Sequence, residues 1–328
     1  MWLEIIFGLV VYCLSGLFFS GDDDDILDVE NLETTDSDAL FSVAARLEKL
    51  HGGKVYTGLR IPDADTHQLQ NIDMVLLTKG GEAVVISVQN LSGFVSVKAD
   101  GSWVSKSGRN HKTEHHPDPV AEVKRQVANL KYYIEGRGNT TVPEGYLSCK
   151  VICPNPKFRA IRSDYFPPEV VTYEQWIQLK PEWKSMFSGW IKDAFLGGKK
   201  EKQESVQKLN FVLSTAPTWD RLELKGNKYL LGEFLDFKGK EEDVQSLKAI
   251  KRSKVSRLIV QKTSMFVVVH SKLQVLYCSR DYRNEGASAS DWKEVTVRSN
   301  AEVLFQLQNS TKSRKFKLSS VVSMSLSA

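Results

Sequence analysis

The chain has 328 residues, of which 41% are hydrophobic and 26% charged, values that exclude a fibrous or wholly disordered protein and allow about two domains. The net charge of +4 is unevenly distributed, because residues 1–40 contain ten acidic residues and no Lys or Arg. Residues 41–328 therefore carry a net charge of +14, which permits contacts with nucleic acid or anionic lipid. Because these basic residues are scattered, an ordinary solvated surface is the alternative interpretation.

The first predicted element is an apolar segment from Trp2 to Phe19, whose only charged residue is Glu4. As a helix it would be ~27 Å long at about 1.5 Å per residue, enough to cross the hydrocarbon core of a bilayer. Residues 1–20 are therefore predicted to be a single-pass membrane anchor, with the body of the protein cytosolic. A cleaved signal peptide leading into the secretory pathway, or a buried helix, is the alternative. The acidic residues 21–38 are predicted to be a solvated stalk.

Residues 39–196 are predicted to form an α/β domain, because helical and strand periodicities alternate along them. Before the motif, the pattern predicts a helix at 39–50, a strand at 54–60 and a polar loop at 67–71. Two buried strands, 72–77 and 83–89, follow around a glycine turn. Beyond them the prediction is strands at 94–98, 103–106, 147–152 and 170–171, and helices at 119–134, 174–179 and 182–195.

Residues 197–208 begin with Gly-Gly-Lys-Lys and are predicted to be a linker. Beyond the linker the pattern changes to strands, in some of which apolar residues alternate with polar ones. Residues 209–328 are therefore predicted to be a smaller, mostly β domain, either a sandwich or a barrel. Its strands are expected at 229–237, 255–260, 265–270, 273–278, 292–297, 301–308 and 316–326.

The stretch 72–93 reads IDMVLLTKGGEAVVISVQNLSG and resembles the core motif of the nuclease-related domain (NERD) family. The resemblance covers approximately residues 39–176. It implies a central sheet flanked by helices, similar to the restriction-endonuclease type, PD-(D/E)xK, of nuclease. The positions that fit are Ile72, Asp73, Val75, Leu76, Gly80, Val85, Ile86, Asn90, Ser92 and Gly93.

The resemblance also implies a Mg²⁺ site, because such nucleases hold the metal with carboxylates on two paired strands and place a Lys beside them. Asp73 occupies the first acidic position, but Ser87 stands at the second and Gln89 at the Lys position. One carboxylate binds Mg²⁺ poorly, and an amide cannot supply a positive charge. Asp73 is therefore predicted to be a vestigial ligand or a structural acid, and Mg²⁺ is expected only if nuclease activity survives.

Two further positions of the family pattern are matched less closely. Ser42 stands at the acidic position of the first helix, with Glu48 nearby, and Glu122 stands at the Gln position of the second helix. A divergent nuclease would have to recruit Glu48, Asp73 and Glu122.

Three other clusters of residues could carry a binding function. The segment HKTEHHPD, residues 111–118, contains three His residues but has no second ligand cluster, so a polar loop is favoured over a zinc site. Trp176, Trp183, Phe187 and Trp190 are predicted to be core or a domain interface. The densest basic run contains Lys248, Lys251, Arg252, Lys254 and Arg257; a solvated segment is favoured, with phosphate or lipid headgroup contact as the alternative.

The sequence thus predicts a membrane-anchored protein with a nuclease-related fold that binds or scaffolds a protein partner without catalysis. Two alternatives remain open. One is a protein that binds nucleic acid without cleaving it, and the other is a divergent Mg²⁺-dependent nuclease.

Overall fold

The computed structural model describes residues 35–327, except 65, 67, 79–80, 107–112, 139–141, 143–145, 180–198, 249, 251–254, 263–271 and 280–291. The predicted membrane anchor, most of the stalk and the predicted helix at 182–195 lie outside the described residues. Among the helices that are described, none is long and apolar enough to span a membrane.

The first half of the chain alternates helices and strands, as the sequence predicts. Its elements are α1 (Thr35–His51), β1 (Lys54–Pro62), β2 (Leu69–Leu77), β3 (Ala83–Val88), β4 (Gly93–Val97), β5 (Trp103–Lys106), β6 (Thr113–His116), α2 (Pro119–Gly138), β7 (Leu147–Ile152), β8 (Phe158–Ala160), a 3₁₀ turn (Ser163–Tyr165), β9 (Val170–Val171) and α3 (Tyr173–Gln178).

The central sheet has the order β1-β2-β3-β7-β9. The pairs β1/β2 and β2/β3 are antiparallel, whereas β3/β7 and β7/β9 are parallel. Alternate residues of β2 enter different cores, since Met74 and Leu76 pack on one face and Val75 and Leu77 on the other. A strand buried on both faces is expected to be almost continuously apolar, and this explains the uninterrupted hydrophobic run in the predicted strand pair.

Helices cover both faces of the central sheet. On one face lies α1, through Leu40, Val43 and Leu47. The other face is covered by α2, through residues that include Val123 and Leu130. The predicted first helix is therefore confirmed, but it begins at Thr35. The last residues of the predicted stalk are helical because acidic side chains in a first turn interact favourably with the helix dipole.

A second, smaller sheet has the order β6-β5-β4-β8, with β4 and β8 parallel. It corrects one loop prediction: residues 113–116 of the His-rich segment form β6, which pairs with β5. A second correction concerns the predicted loop 67–71, because β2 already begins at Leu69. In both places the sequence is polar because the strand lies at the edge or end of its sheet, where side chains contact solvent.

The segment predicted as a linker is largely helical. Helix α4 (Lys199–Ser214) occupies it from residue 199 and continues beyond it. The Lys, Glu and Gln residues in this part of the sequence are polar, which is typical of a linker, but they also have a high helix propensity. The end of the helix buries Leu209, Val212 and Leu213 in the core beneath α2.

The C-terminal region is mostly β, as predicted. Its elements are β10 (Asp220–Leu224), β11 (Lys228–Lys238), α5 (Glu241–Leu247), β12 (Val255–Lys262), β13 (Lys272–Ser279), β14 (Trp292–Arg298), β15 (Glu302–Leu307), β16 (Ser313–Lys317), a 3₁₀ turn (Leu318–Ser320) and β17 (Val321–Ser325). The predicted strand 265–270 lies outside the described residues. Residues 316–326 form two strands separated by the 3₁₀ turn instead of one, and β10 and α5 were not predicted.

The described C-terminal strands form one antiparallel sheet in the order β14-β13-β12-β17-β10-β11-β15-β16. It encloses its own core, in which Leu222, Leu258 and Phe305 are fully buried. It is also packed against the first half of the chain. The amide of Trp219 donates to the carbonyl of Gly58 at 2.8 Å, and Leu231 enters the core beneath α1. This packing places the C-terminal sheet beside the motif strands.

Candidate functional site

A cleft of about 1070 Å³ lies where the motif strands, the small sheet and the C-terminal sheet meet. Its lining is mainly polar. The first half of the chain contributes Asp36, Asp73, Gln89, Asn90, Ser92, Ser105, Glu114 and His116, and the C-terminal region contributes Leu230, Leu231, Leu307, Gln308, Asn309, Ser310 and Arg314. Four positions of the motif, Asp73, Gln89, Asn90 and Ser92, line this cleft, but the contribution of the C-terminal sheet was not predicted.

Asp73 is partly buried at the base of the cleft, and its carboxylate is bound by two donors. The amide of Val88 donates to Oδ2 at 2.8 Å, and the hydroxyl of Ser87 donates to the same oxygen at 3.2 Å. Both donors belong to the end of β3, the strand that would carry the second acidic ligand in a nuclease of this type. Asp73 therefore joins the ends of β2 and β3.

Ser87 and Gln89 extend this arrangement into a short chain of hydrogen bonds. The side-chain amide of Gln89 donates to Ser87 Oγ at 3.1 Å, and Ser87 in turn donates to Asp73. Ser87 is only 5% exposed, so its hydroxyl is committed to this contact. The two residues that replace the expected acid and Lys thus bind each other and Asp73.

The position of Asp73 raises the pKa of its carboxyl above the usual range. The main cause is burial, which disfavours the charged form, and the nearby carboxylates of Asp36 and Glu122 act in the same direction. The hydrogen bonds from Val88 and Ser87 partly offset this effect. An acid with a raised pKa in the folded state stabilises folding at pH values below its unfolded pKa, and this contribution is lost as the pH rises through the folded pKa.

Replacing Asp73 by Asn is therefore expected to leave the fold intact and to change its response to pH. The Asn carbonyl can accept from Val88, and its amide carries no charge. The unfolding free energy of the wild type minus that of Asp73→Asn should decrease as the pH rises from about 4. Asp73→Ala should be about 1–3 kcal/mol less stable than Asp73→Asn, because the partly buried amide of Val88 loses its acceptor. Urea denaturation at a series of pH values measures the pH dependence of the first difference and the size of the second. A difference between wild type and Asp73→Asn that does not change with pH would contradict the raised pKa.

Asp36 is an acidic residue of the cleft that the sequence interpretation missed. It lies in the first turn of α1, and Asn90 donates to its carboxylate at 3.2 Å. The side-chain amide of Asn155 in turn donates to the side-chain oxygen of Asn90 at 3.1 Å. An Asp two residues before Asp38 fits a helix N-terminus, but the run of acidic residues before it predicts a solvated stalk instead.

The weaker site predictions lie outside the cleft lining, although the Glu122 carboxylate is close enough to raise the pKa of Asp73. Ser42 and Glu48 are exposed on α1, outside the cleft lining, and Glu48 accepts the amide of Val55 at 3.0 Å. Glu122 lies in the first turn of α2, where it forms an ion pair with Arg125 at 2.7 Å. One turn further along α2, Gln126 is buried and donates to Glu122 at 3.5 Å. The structure therefore does not bring Glu48 and Glu122 together with Asp73 as a three-carboxylate site.

The His-rich segment contributes individual residues to the cleft wall. The hydroxyl of Ser105 lies 2.9 Å from His116 Nε2. His115 points to the other face of the small sheet, where its Nδ1 lies 3.2 Å from Lys98 Nζ. Asp118 caps α2 by accepting the amides of Val120 and Ala121. Across the described parts of the chain, no group of three or more His, Cys, Asp and Glu side chains is arranged to hold a metal ion.

The remaining clusters are only partly described. Trp176 is buried in the core with α1, as predicted, and the guanidinium of Arg46 lies 4.7 Å from its ring centroid. Lys248 ends α5 and Arg257 is exposed on β12. Trp183, Phe187, Trp190, Lys251, Arg252 and Lys254 lie outside the described residues, so the predicted contacts of the basic run with phosphate or lipid headgroups stay a prediction.

The comparison with known families supports the motif assignment. Residues 36–154 match the model of the family described as "Nuclease-related domain" (NERD). The match begins in α1 and ends just after β7, so it includes strands β1, β2, β3 and β7 of the central sheet. It also includes the acidic and amide residues that the first half of the chain contributes to the cleft. Neither a curated protein nor a solved structure matches the chain.

Proposed function

We propose that this chain, of which residues 36–154 match the model of the nuclease-related domain, is a non-hydrolytic member of that family and acts as a binding or scaffold module. One observation carries the proposal. The carboxylate that would hold the catalytic metal accepts hydrogen bonds from Val88 and Ser87. Ser87 and Gln89 stand where the second acid and the Lys are expected.

The residues at the site do not fit Mg²⁺. This ion requires hard oxygen ligands and strongly favours carboxylates. Ser87 offers a neutral hydroxyl that already donates to Asp73, and Gln89 offers an amide. The burial that raises the pKa of Asp73 further disfavours the ionised form that a metal would need. No hydrolytic step is therefore assigned to the cleft.

The cleft is suited to a hydrogen-bonding ligand instead of a phosphate backbone. Its lining includes side-chain amides and hydroxyls from both halves of the chain, at Gln89, Asn90, Ser92, Gln308, Asn309 and Ser310. Three carboxyl groups face it, whereas Arg314 is the one Lys or Arg side chain among its described lining residues. A polyanion would meet repulsion there, so a neutral polar ligand or a polar loop of a protein partner is the proposed occupant.

The proposal is tested by thermal unfolding of the full chain with increasing Mg²⁺ or Mn²⁺. A ligand that binds the native state raises the midpoint of unfolding. The wild type and Asp73→Asn are expected to show the same small response, because neither holds the ion at Asp73. A rise that is present in the wild type and absent from Asp73→Asn would overturn the proposal.

The module is proposed to be held at a membrane by the apolar segment from Trp2 to Phe19, with its body in the cytosol. The support is the length and composition of that segment. The full chain should remain in the membrane pellet after alkaline carbonate extraction, and a variant lacking residues 2–19 should not. The sequence contains three N-x-S/T glycosylation sequons, at Asn90, Asn139 and Asn309, and they should stay unmodified. Glycosidase-sensitive sugar on them would place the body in the secretory pathway.

A further inference from the structure

The small sheet has two faces of different character. Its inner face contributes Val95, Trp103 and Phe158 to the core, and Phe166 packs edge-on against Trp103 with ring centroids 5.2 Å apart. Ser105, Glu114 and His116 of this sheet face the cleft. The outer face points away from both. The register places on it Phe94 and Lys106, which are exposed, and Val104, which is buried. This face is a surface distinct from the cleft.

Phe94 stands at the centre of the outer face and is 54% exposed. Its register partners are Lys106 on β5 and Arg159 on β8. Side chains at paired positions of neighbouring strands lie on the same face of a sheet, a few ångströms apart. The phenyl ring is therefore flanked on either side by a basic residue, and both of these residues are exposed.

A second aromatic group lies just beyond β8. Tyr165 is 54% exposed, and the guanidinium of Arg162 donates to its hydroxyl at 2.5 Å and lies 5.2 Å from its ring centroid. Arg162 adopts a positive φ of 55°, which is uncommon for a residue other than glycine. The conformation holds an arginine and a tyrosine together at the end of the strand.

The charge of the outer face is basic. Within the strands 93–97, 103–106, 113–116 and 158–160, the one acidic residue is Glu114, and it faces the cleft. The nearest acid on the hairpin is Asp100, whose carboxylate accepts the hydroxyl of Ser102 at 2.6 Å. Its negative charge offsets the positive charge of Lys98. Lys106, Arg159 and Arg162 are the cations of the face, and Arg159 also donates to the carbonyls of Pro156 and Phe158. Asp164, exposed in the 3₁₀ turn, is the acidic residue beside Arg162.

We propose that this outer face binds single-stranded nucleic acid. Exposed aromatic rings stack on unpaired bases, and basic residues beside them contact the phosphates. A duplex offers no base face to Phe94 or Tyr165, which is why the single-stranded form is proposed. The binding requires no metal and no cleavage, so it stands or falls separately from the function proposed for the cleft.

The test is fluorescence anisotropy of the full chain with labelled oligonucleotides in the presence of EDTA. Single-stranded RNA and DNA of the same length should bind, and the duplex should bind more weakly. Three phosphate contacts predict a slope of about −2 in a plot of log K against log salt. An abasic oligonucleotide of equal charge should bind less well, because it cannot stack.

Substitutions locate the binding on the face. Phe94→Ala should weaken it by about 5- to 100-fold, the range expected for loss of one stacked base. Lys106→Glu/Arg159→Glu should reduce both the affinity and the salt slope. The control for Phe94→Ala is Tyr132→Ala, which removes an aromatic ring that is 59% exposed on α2. The control for the charge reversal is Lys225→Glu/Lys312→Glu, at two exposed basic residues of the C-terminal region. Asp73→Asn should have no effect.

Three results would overturn this proposal. One is that the abasic and normal oligonucleotides bind with equal affinity and that Phe94→Ala leaves the affinity unchanged. The surface would then bind by charge alone, without stacking. Another is an equal loss of affinity in the Lys225→Glu/Lys312→Glu control. The third is binding to vesicles that contain phosphatidylserine, lost in Lys106→Glu/Arg159→Glu, with no binding to any oligonucleotide. That outcome would identify the face as a lipid-contacting surface.

Discussion

The double substitution Ser87→Glu/Gln89→Lys is expected to create a divalent-metal site in the cleft. Ser87 Oγ lies 3.2 Å from Asp73 Oδ2, so a Glu at this position brings a second carboxylate next to the first. A Lys at 89 supplies the positive charge that Gln89 lacks. Without metal the two carboxylates repel each other, and the variant should be less stable than the wild type. Mg²⁺ or Mn²⁺ should reverse this loss, by about 2.7 kcal/mol at a concentration 100 times the dissociation constant.

Thermal unfolding and isothermal calorimetry with each ion measure the gain. The matched control is Ser87→Gln/Gln89→Lys, which keeps the size and the new Lys but lacks the new carboxylate. It should show no metal response beyond that of the wild type. If the Glu variant folds and the ions still leave its midpoint unchanged, residue 87 does not occupy the position of the second acid, and the proposed correspondence with the nuclease site is wrong.

Asp220→Ala is expected to cause the largest loss of stability among the single substitutions considered. Asp220 is fully buried at the start of β10. Its carboxylate accepts the amide of Phe234 at 2.8 Å and the amide of Ser327 at 2.6 Å, so it joins β11 and the C-terminal end of the chain to β10. Alanine leaves both buried amides without this acceptor. Each such loss costs about 1–3 kcal/mol, and together they should cost about 2–6 kcal/mol.

Chemical denaturation of the full chain provides the measurement. Asp236→Ala is the control, because Asp236 lies on the neighbouring strand β11 with its side chain 60% exposed. Its carboxylate accepts the amide of the adjacent Phe237 at 2.9 Å and lies 3.9 Å from Lys238, and both contacts are local to β11. It should change the unfolding free energy by about 0–1 kcal/mol. Equal effects of the two substitutions would show that Asp220 does not join these strands as described.

The features that sequence patterns predicted are those that depend on local periodicity. The buried strands of the motif could be recognised because both faces of β2 and β3 are covered, which requires a continuous apolar run. The apolar stripe of α1 was equally visible. Asp73 could be placed at the site because it belongs to the motif at residues 72–93. Ser87 and Gln89 could be placed there because each occupies a fixed position in the same motif.

The features that were missed depend on contacts between distant segments. Gln308 and Arg314 line the cleft only because the C-terminal sheet packs against β1 and α1, and no local pattern encodes that packing. Asp36 was assigned to the acidic stalk because its neighbours in sequence are acidic. The outer face of the small sheet was missed because Phe94 and Arg159 meet through a parallel pairing of β4 and β8, which joins segments more than sixty residues apart in the chain.

A cleavage assay tests the central claim most directly, namely that the region of this chain that matches the nuclease-related domain does not hydrolyse nucleic acid. The full chain would be incubated with labelled single- and double-stranded DNA and RNA in the presence of Mg²⁺ or Mn²⁺, beside Asp73→Ala and Ser87→Glu/Gln89→Lys. The wild type is expected to leave every substrate intact, at the same level as Asp73→Ala. Metal-dependent cleavage by the wild type that Asp73→Ala abolishes would contradict the claim and would identify the chain as a nuclease with relocated ligands.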